Sequence, residues 1–158
     1  VAFPDFYREG MRQIGANSFY LFADDYFGAL LQMPTARVLS VVREGVPLSM
    51  GVFLFGPCGA EYHLSAASPA GRQSNATNFL LHGAAQAAQA AGLRGLYLGG
   101  GTTPELDNPL LRFKSSFSPA ESTFFIGYRI HDPDAYADIQ AAFPELARAS
   151  GRVLFYRR

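Results

Sequence analysis

The sequence predicts an α/β (α+β) fold in which a central, mostly antiparallel mixed sheet has helices on both faces. Three consecutive segments rich in valine and aromatic residues are separated only by short turns, which is typical of an antiparallel meander. Segments with helical spacing precede the meander, and a helix followed by a further strand comes after it. This mixed order favours helices that pack against both faces of one sheet.

Two helices are predicted before the sheet. Apolar residues recur at helical spacing over residues 4–15, where Pro4 occupies the first turn. Asp24 or Asp25 is predicted to cap a second helix, which ends at Pro34. The strands of the meander follow at residues 36–42, 46–55 and 60–67.

The longest helix is predicted at residues 74–92, where Ser74 or Asn75 supplies the cap and Gly92 ends the helix. A buried strand at residues 93–101 follows. The helix is then a crossover connection, and this strand becomes a parallel neighbour of segment 60–67. The remaining predicted elements are helical turns at residues 104–117, a strand at 122–130, a capped helix at 132–143 and a final strand at 151–158.

Composition limits the classes of function. A length of 158 residues predicts one domain spanning residues 1–158. The 13 basic and 13 acidic side chains balance, so a nucleic-acid partner would need a local patch. Cys58 is the only cysteine and the three histidines lack ligand spacing, so neither a disulfide nor a metal site is expected. The longest apolar stretch is too short for a membrane span, and we expect a cytoplasmic protein.

Several segments occur in an order that resembles the C-terminal half of FemAB-like acyltransferases, which are members of the GNAT superfamily. These segments are "YHLSAAS", "GRQSNATNFLL", "LYLGGG", "RFKSSF" and "FIGYRIHDPDAY". The resemblance implies a GNAT-type fold, a preceding GNAT-like domain, and transfer of an amino acid from aminoacyl-tRNA to an amine of a peptidoglycan precursor. An ordinary acetyl-CoA-dependent N-acetyltransferase is an alternative, and in either case no permanently bound cofactor is expected.

The resemblance places the acyl donor where two parallel strands splay apart, here segments 60–67 and 96–101. Gly99 and Gly100 end the second strand, where backbone could approach a ligand closely or could simply form a tight turn. The start of the long helix offers N–H groups and a positive dipole end that suit a phosphate. The donor-binding candidates there are Arg72, Gln73, Ser74 and Asn75.

Asn75 departs from the pattern of coenzyme A users in the superfamily, which have glycine at this place. Its side chain would obstruct the close approach of backbone to a pyrophosphate. This departure favours a donor other than acetyl-CoA, or a site that has lost its donor.

Lys114 is the only lysine among the 13 residues counted as Lys and Arg. A compact ammonium can approach an oxygen head-on or lose its proton, and a guanidinium cannot replace it in either role. The resemblance implies that Lys114 faces the acyl-transfer centre, where it neutralises a developing oxyanion or a donor phosphate. The alternative is a lysine that has merely survived on an exposed helix.

Strict alternation along segment 60–67 puts Glu61, His63 and Ser65 on one face and Tyr62 and Leu64 on the other. His63 is a candidate base for the attacking amine, with Glu61 as a weaker one. The alternative for His63 is a hydrogen bond within the sheet. The candidate substrate-binding residues are Tyr62, Ser65, Tyr97, Asp107 and Arg112, and Arg112 is expected to pair with a carboxylate such as Asp107. A non-catalytic half-domain that binds the donor or tRNA is the second class of function.

Overall fold

The computed structural model describes residues 1–101, 107–123, 125, 127–150 and 153–156. The chain forms two compact units, Val1–Pro119 and Ala120–Arg158. The first unit contains the sheet and five helices among its described residues. The second contains two further helices among its described residues.

Two helices open the first unit. Helix α1 spans Phe3–Gln13 and α2 spans Asp24–Gln32, with a short 3-10 turn at Ser18–Tyr20 between them. The predicted aspartate cap of α2 is wrong, because Ala23 is the cap residue and makes no side-chain cap bond. Asp24 instead pairs with Arg8 of α1, so its carboxylate ties the two helices together.

The sheet has four strands in the order β1-β2-β3-β4. These are β1 (Ala36–Arg43), β2 (Val46–Phe55), β3 (Ala60–Ala67) and β4 (Leu96–Tyr97). The first three form an antiparallel meander, and β4 pairs with β3 in parallel. The predicted mixed sheet with a parallel pair is therefore confirmed.

The crossover between β3 and β4 contains two helices, α3 (Pro69–Gln73) and α4 (Ala76–Ala90). Ser68 caps α3, since its Oγ accepts the N–H of Gly71 at 3.1 Å. Asn75 occupies the N-cap position of α4, as predicted, but its side chain makes no cap hydrogen bond. Ser74 donates to the carbonyl of Ala70 at 2.8 Å and does not cap α4. The side chain of Ser74 therefore binds the C-terminal end of α3 and not the start of α4.

The two faces of the sheet carry separate apolar clusters. Helices α1 and α2 cover one face, and α4 covers the other. The first cluster contains Phe3, Tyr7, Phe27, Leu30, Met50, Val52 and Ala66. The second contains Phe53, Leu80, Leu81 and Ala84, with Tyr62 and Phe113 of α5 (Pro109–Ser115) packed against it. We call these the α1/α2 face and the α4 face.

Strand β3 contains a β-bulge at His63. Val52 of β2 lies opposite Leu64, whereas the next residue, Phe53, lies opposite Tyr62, so His63 is the extra residue. A bulge inverts the alternation of side chains beyond it. The prediction that Ser65 shares a face with Glu61 and His63, and Leu64 a face with Tyr62, is therefore wrong.

In the second unit, α6 spans Pro133–Ala142 and α7 spans Pro144–Ser150. Asp132 caps α6 by accepting the N–H of Ala135 at 3.0 Å, as predicted. Tyr136 donates to the carbonyl of Val153 at 2.9 Å.

The predicted strands at 122–130 and 151–158 are not found in their described residues, which are 122, 123, 125, 127–130 and 153–156. The remaining positions of both predictions lie outside the described residues. An extended segment becomes a strand only where a neighbour takes its backbone hydrogen bonds, and alternating residue types supply no such neighbour.

Candidate active site

Strands β3 and β4 part after only two residue pairs, Ala60 with Leu96 and Glu61 with Tyr97. Beyond this point β3 continues to Ala67, while the chain after β4 turns at Gly99, whose φ is 72°. A residue with a side chain would be strained in this left-handed conformation, whereas glycine adopts it freely. The resulting opening, which we call the slot, is the splayed pair that the resemblance implies.

Lys114 lies at the slot. Its Nζ donates to the carbonyl of Gly100 at 2.8 Å and lies 5.7 Å from the centroid of the Tyr62 ring. Tyr62 is the first residue of β3 beyond the last β3–β4 pair. Burial of the side chain lowers the pKa of Lys114 from its usual value. The ammonium is thus held between the two diverging segments.

Helix α5 positions Lys114, and its start depends on Asn108. The Asn108 Oδ1 accepts the N–H groups of Leu110 at 3.0 Å and Leu111 at 3.2 Å. Asn108 is buried against Gly101, where an added Cβ would lie 2.8 Å from the Asn108 Cγ. The sequence prediction missed this residue. An asparagine followed directly by Pro109 is nevertheless a recognisable helix start.

Tyr62 and Ser65 share a hydrogen bond between their hydroxyl groups on the α4 face. The Tyr62 ring also stacks on Phe53, with 5.5 Å between the ring centroids. Burial raises the pKa of Tyr62, and the hydrogen bond from Ser65 opposes this effect. The bulge brings these two candidate residues together on the face where the Tyr62 ring lies beside Lys114.

His63 and Tyr26 form a second polar pair, on the α1/α2 face. The Tyr26 hydroxyl and the His63 Nε2 are 2.7 Å apart, and the centroids of the two rings are 6.4 Å apart. Glu61 lies two residues before His63 on β3 and is exposed. His63 therefore lies across the sheet from the hydroxyl pair of Tyr62 and Ser65. The prediction for His63 did not identify Tyr26, because no sequence signal links residues on different elements.

The four residues predicted to bind the donor phosphate lie at the junction of α3 and α4. Arg72 donates to the carbonyl of Ala67 at 2.7 Å and to Gln13 of α1 at 3.4 Å. Gln73 and Ser74 are exposed. Asn75 has a φ of 53°, a left-handed conformation that asparagine tolerates better than most residues with a side chain.

Backbone amides at this junction already have partners within the chain. The N–H groups of Arg72, Ser74 and Asn75 donate to the carbonyls of Ser68, Ala70 and Arg72, respectively. A phosphate would have to replace these hydrogen bonds in order to bind the same amides.

The other predicted substrate-binding residues lie around the slot without a shared contact. Tyr97 is 45% exposed at the end of β4. Asp107 and Arg112 are both exposed, and no ion pair joins them among the described residues, so the expected pair is not formed. Within the same described part of the chain, no three metal-ligating side chains cluster and no helix could cross a membrane.

Comparison with solved structures identifies the fold. An aminoglycoside acetyltransferase from an uncultured soil metagenomic sample aligns with a TM-score of 0.58 at 12% identity, covering 80% of this chain and 89% of that one. A ribosomal-protein-alanine N-acetyltransferase from Brucella melitensis biovar Abortus gives a TM-score of 0.55 at 16% identity, covering 82% and 93%. The chain has a GNAT-type fold.

A further GNAT structure is the aminoglycoside N-acetyltransferase AAC(6')-Iy in complex with a CoA bisubstrate analogue. It aligns with a TM-score of 0.57 at 15% identity, covering 82% of this chain and 92% of that one. The sequence itself matches no protein-family model and no curated protein. The GNAT-type fold that the resemblance implies is thus confirmed, and its FemAB-like part stays a prediction.

Proposed function

We propose that this chain is an N-acyltransferase that binds an activated carbonyl in the slot and transfers the acyl group to an amine. The observation that carries this proposal is the parting of β3 and β4 after two residue pairs, with the Lys114 ammonium at the opening. The N-acetyltransferase activity named for the proteins of similar fold supports it.

The reaction forms one bond and breaks one. The amine nitrogen attacks the carbonyl carbon, and the C–N bond forms as negative charge develops on the carbonyl oxygen. The bond from the carbonyl carbon to sulfur or to the ribose oxygen then breaks, and the leaving atom takes the electron pair and a proton. The amine gives up its own proton to a base, for which His63 is our first candidate and Glu61 our second.

Lys114 is proposed to stabilise the charge on the carbonyl oxygen. An ammonium has three N–H donors. One is used by the Gly100 carbonyl, and the face of the Tyr62 ring lies beside the group. A donor therefore remains for the developing oxyanion. Tyr62 and Ser65 supply a hydroxyl pair on the same face, suited to protonating the leaving atom.

Two molecules are candidates for the acyl donor. An aminoacyl-tRNA fits the intrachain hydrogen bonds at the α3–α4 junction, because its ester needs no amide cradle for a pyrophosphate. Acetyl-CoA is the alternative, which the CoA complexes of the similarly folded AAC(6')-Iy favour. Both donors are made in the cytoplasm, so the proposal places the protein there.

The acceptor is proposed to be a small-molecule or cell-wall precursor amine. A FemAB-like role in peptidoglycan or surface-glycan synthesis, with a GNAT-like domain preceding residue 1, rests on the resemblance of "RFKSSF" and "GRQSNATNFLL" alone. The aminoglycoside acetyltransferases of similar fold favour a soluble amine acceptor instead. A binding module without catalysis remains the alternative of a different class.

Isothermal titration of the purified protein with acetyl-CoA and, separately, with aminoacyl-tRNA distinguishes these possibilities. We expect the aminoacyl-tRNA to bind and to lose its amino acid to an added amine, with weak or no binding of acetyl-CoA. Tight binding of acetyl-CoA with acetylation of the amine would make the protein an ordinary acetyltransferase. Binding of a donor without transfer to any amine would support the binding module and contradict the enzyme. Uncharged tRNA is the control for binding through the nucleic acid alone.

A further inference from the structure

We propose that Tyr26 is a positioning residue that holds the His63 ring by its Nε2, so that Nδ1 is the nitrogen that receives the amine proton. This inference rests on the proposed function, in which His63 is the base. Its physical basis is the 2.7 Å contact between the Tyr26 hydroxyl and the His63 Nε2, which joins residues 37 positions apart. With Nε2 occupied, Nδ1 is the ring nitrogen left for a substrate.

The pair stands on a rigid support. The Tyr26 ring stacks on Phe22 with 4.3 Å between centroids and meets the edge of Phe27 at 5.5 Å. Phe27 is 1% exposed and belongs to the core of the α1/α2 face. A catalytic group is most effective when a well-packed neighbour fixes its orientation in advance. Tyr26 can fix the ring of His63 because it is itself fixed by the core.

His63 needs such support because of its place in the strand. The bulge makes it the residue of β3 without its own partner across the β2–β3 ladder. Bulges re-aim side chains and are common next to active sites. The hydrogen bond at Nε2 restrains the re-aimed imidazole.

The base role requires one particular tautomer. For Nδ1 to accept a proton, the neutral ring must carry its hydrogen on Nε2 and donate it to the Tyr26 oxygen. Burial raises the pKa of Tyr26, which keeps the phenol neutral as the partner. After the amine proton reaches Nδ1, the imidazolium keeps the same Nε2 hydrogen bond. The proton transfer therefore needs no rotation of the ring.

Two other titratable groups belong to this neighbourhood. Glu61 lies two residues before His63 on β3 and is exposed. Tyr7 of α1 interacts electrostatically with Tyr26. Neither of these groups replaces the contact at Nε2.

Nitrogen-15 NMR of the full chain with labelled histidine tests the tautomer without any substrate. We expect neutral His63 to carry its proton on Nε2, and we expect Tyr26→Phe to remove the hydrogen-bonded shift of that proton. Tyr20→Phe, at an exposed tyrosine before α2, is the matched control and should leave the signal unchanged. A protonated Nδ1 in the neutral ring, or a signal insensitive to Tyr26→Phe, would overturn the proposal even if the protein proves to be an acyltransferase.

Kinetics with the donor that proves active test the coupling of the two residues. We expect Tyr26→Phe to lower kcat about 10-fold with KM little changed, as for a misplaced general base. In a His63→Gln background the same change should have no further effect on kcat, because the base is already absent. Independent, multiplying losses in the double variant would contradict a positioning role. If no donor supports transfer, the proposed function fails, and the NMR result still decides how Tyr26 and His63 are arranged.

Discussion

At the scale of single residues, the ammonium of Lys114 is held by two groups of different kinds. The Gly100 carbonyl accepts one of its hydrogens, and the Tyr62 ring lies beside it on the other strand of the slot. A guanidinium is planar and larger, so it cannot keep both contacts while presenting a single N–H to a third oxygen. The residue type at position 114 therefore matters more than its charge.

The lowered pKa of Lys114 predicts how transfer depends on pH. Burial favours the neutral amine, so Lys114 loses its proton below its usual pKa of 10.5. Because the charged form stabilises the oxyanion, kcat should fall as pH rises through this lowered pKa. The residual activity of Lys114→Arg should lack this alkaline limb, since a guanidinium stays charged. A pH profile of kcat at saturating donor and acceptor checks this, and an identical limb in both proteins would contradict it.

At the residue scale, the sequence singled out one residue that is conspicuous by its type, and the catalytic role of that residue stays a prediction. Lys114 is the only lysine, and its place in "RFKSSF" was enough to expect it at the slot. Asn108 and Tyr26 were missed for different physical reasons. The capping role of Asn108 was visible in its local sequence, whereas the contact of Tyr26 with His63 depends on how α2 packs on the sheet.

At the scale of elements, α3 depends on a close approach to β2. An added Cβ at Gly71 would lie 1.9 Å from the carbonyl oxygen of Leu48. Gly71→Ala should therefore lower the free energy of unfolding by about 3 kcal/mol, because backbone must move to make room. Urea unfolding measures this change.

Gly83→Ala is the matched control for Gly71→Ala. Gly83 lies within α4 and an added Cβ would meet no atom within 4 Å. This change should raise the free energy of unfolding by about 1 kcal/mol, since alanine is the better helix former. Equal effects of the two substitutions would show that the close contact of α3 with β2 is not what Gly71 provides.

The raised pKa of Tyr7 predicts that the folded protein loses stability at alkaline pH. Burial, with smaller contributions from neighbouring tyrosines, raises the pKa of Tyr7 from 10.0 to about 12. The folded state thus keeps a proton that the unfolded state loses above pH 10, so its stabilisation is complete below pH 10 and is lost as pH rises to about 12. At one pH unit above the unfolded pKa the loss is about 1.4 kcal/mol. Tyr7→Phe should show a correspondingly smaller drop in urea unfolding between neutral and alkaline pH.

Tyr97→Phe is the control for Tyr7→Phe, because Tyr97 is 45% exposed. It should retain the full alkaline loss of stability. If Tyr7→Phe also retains the full alkaline loss of stability, the burial of Tyr7 is not the cause of that loss.

The bounds of β2 and β3 were predicted to the residue, since glycine and proline mark their turns in the sequence. The bulge at His63 could not be predicted, because a count of alternating side chains does not reveal an extra residue. Helix α3 was missed for a related reason. Its Pro-Ala-Gly segment reads as a loop, and the packing of Gly71 on Leu48 is a tertiary contact.

At the scale of the whole molecule, the sheet separates two sets of groups. The α4 face carries Lys114, Tyr62 and Ser65. The α1/α2 face carries His63 and Tyr26. The carbonyl oxygen, the leaving atom and the attacking nitrogen are all bonded to one carbon. The proposed reaction therefore requires both sets of groups to act at the slot, where β3 and β4 part. Because the net charge is zero, the protein has no overall electrostatic field to attract substrates, and local groups such as these select them.

The most direct test of this account is the rate of acyl transfer by Lys114→Arg, measured with the donor that titration identifies. We predict a loss of at least about 100-fold in kcat with an unchanged circular dichroism spectrum, as expected when an oxyanion loses its donor. Arg43→Lys, at an exposed arginine that ends β1, is the control and should transfer at the unaltered rate. Full activity of Lys114→Arg would contradict the claim that an ammonium at the slot stabilises the reacting carbonyl.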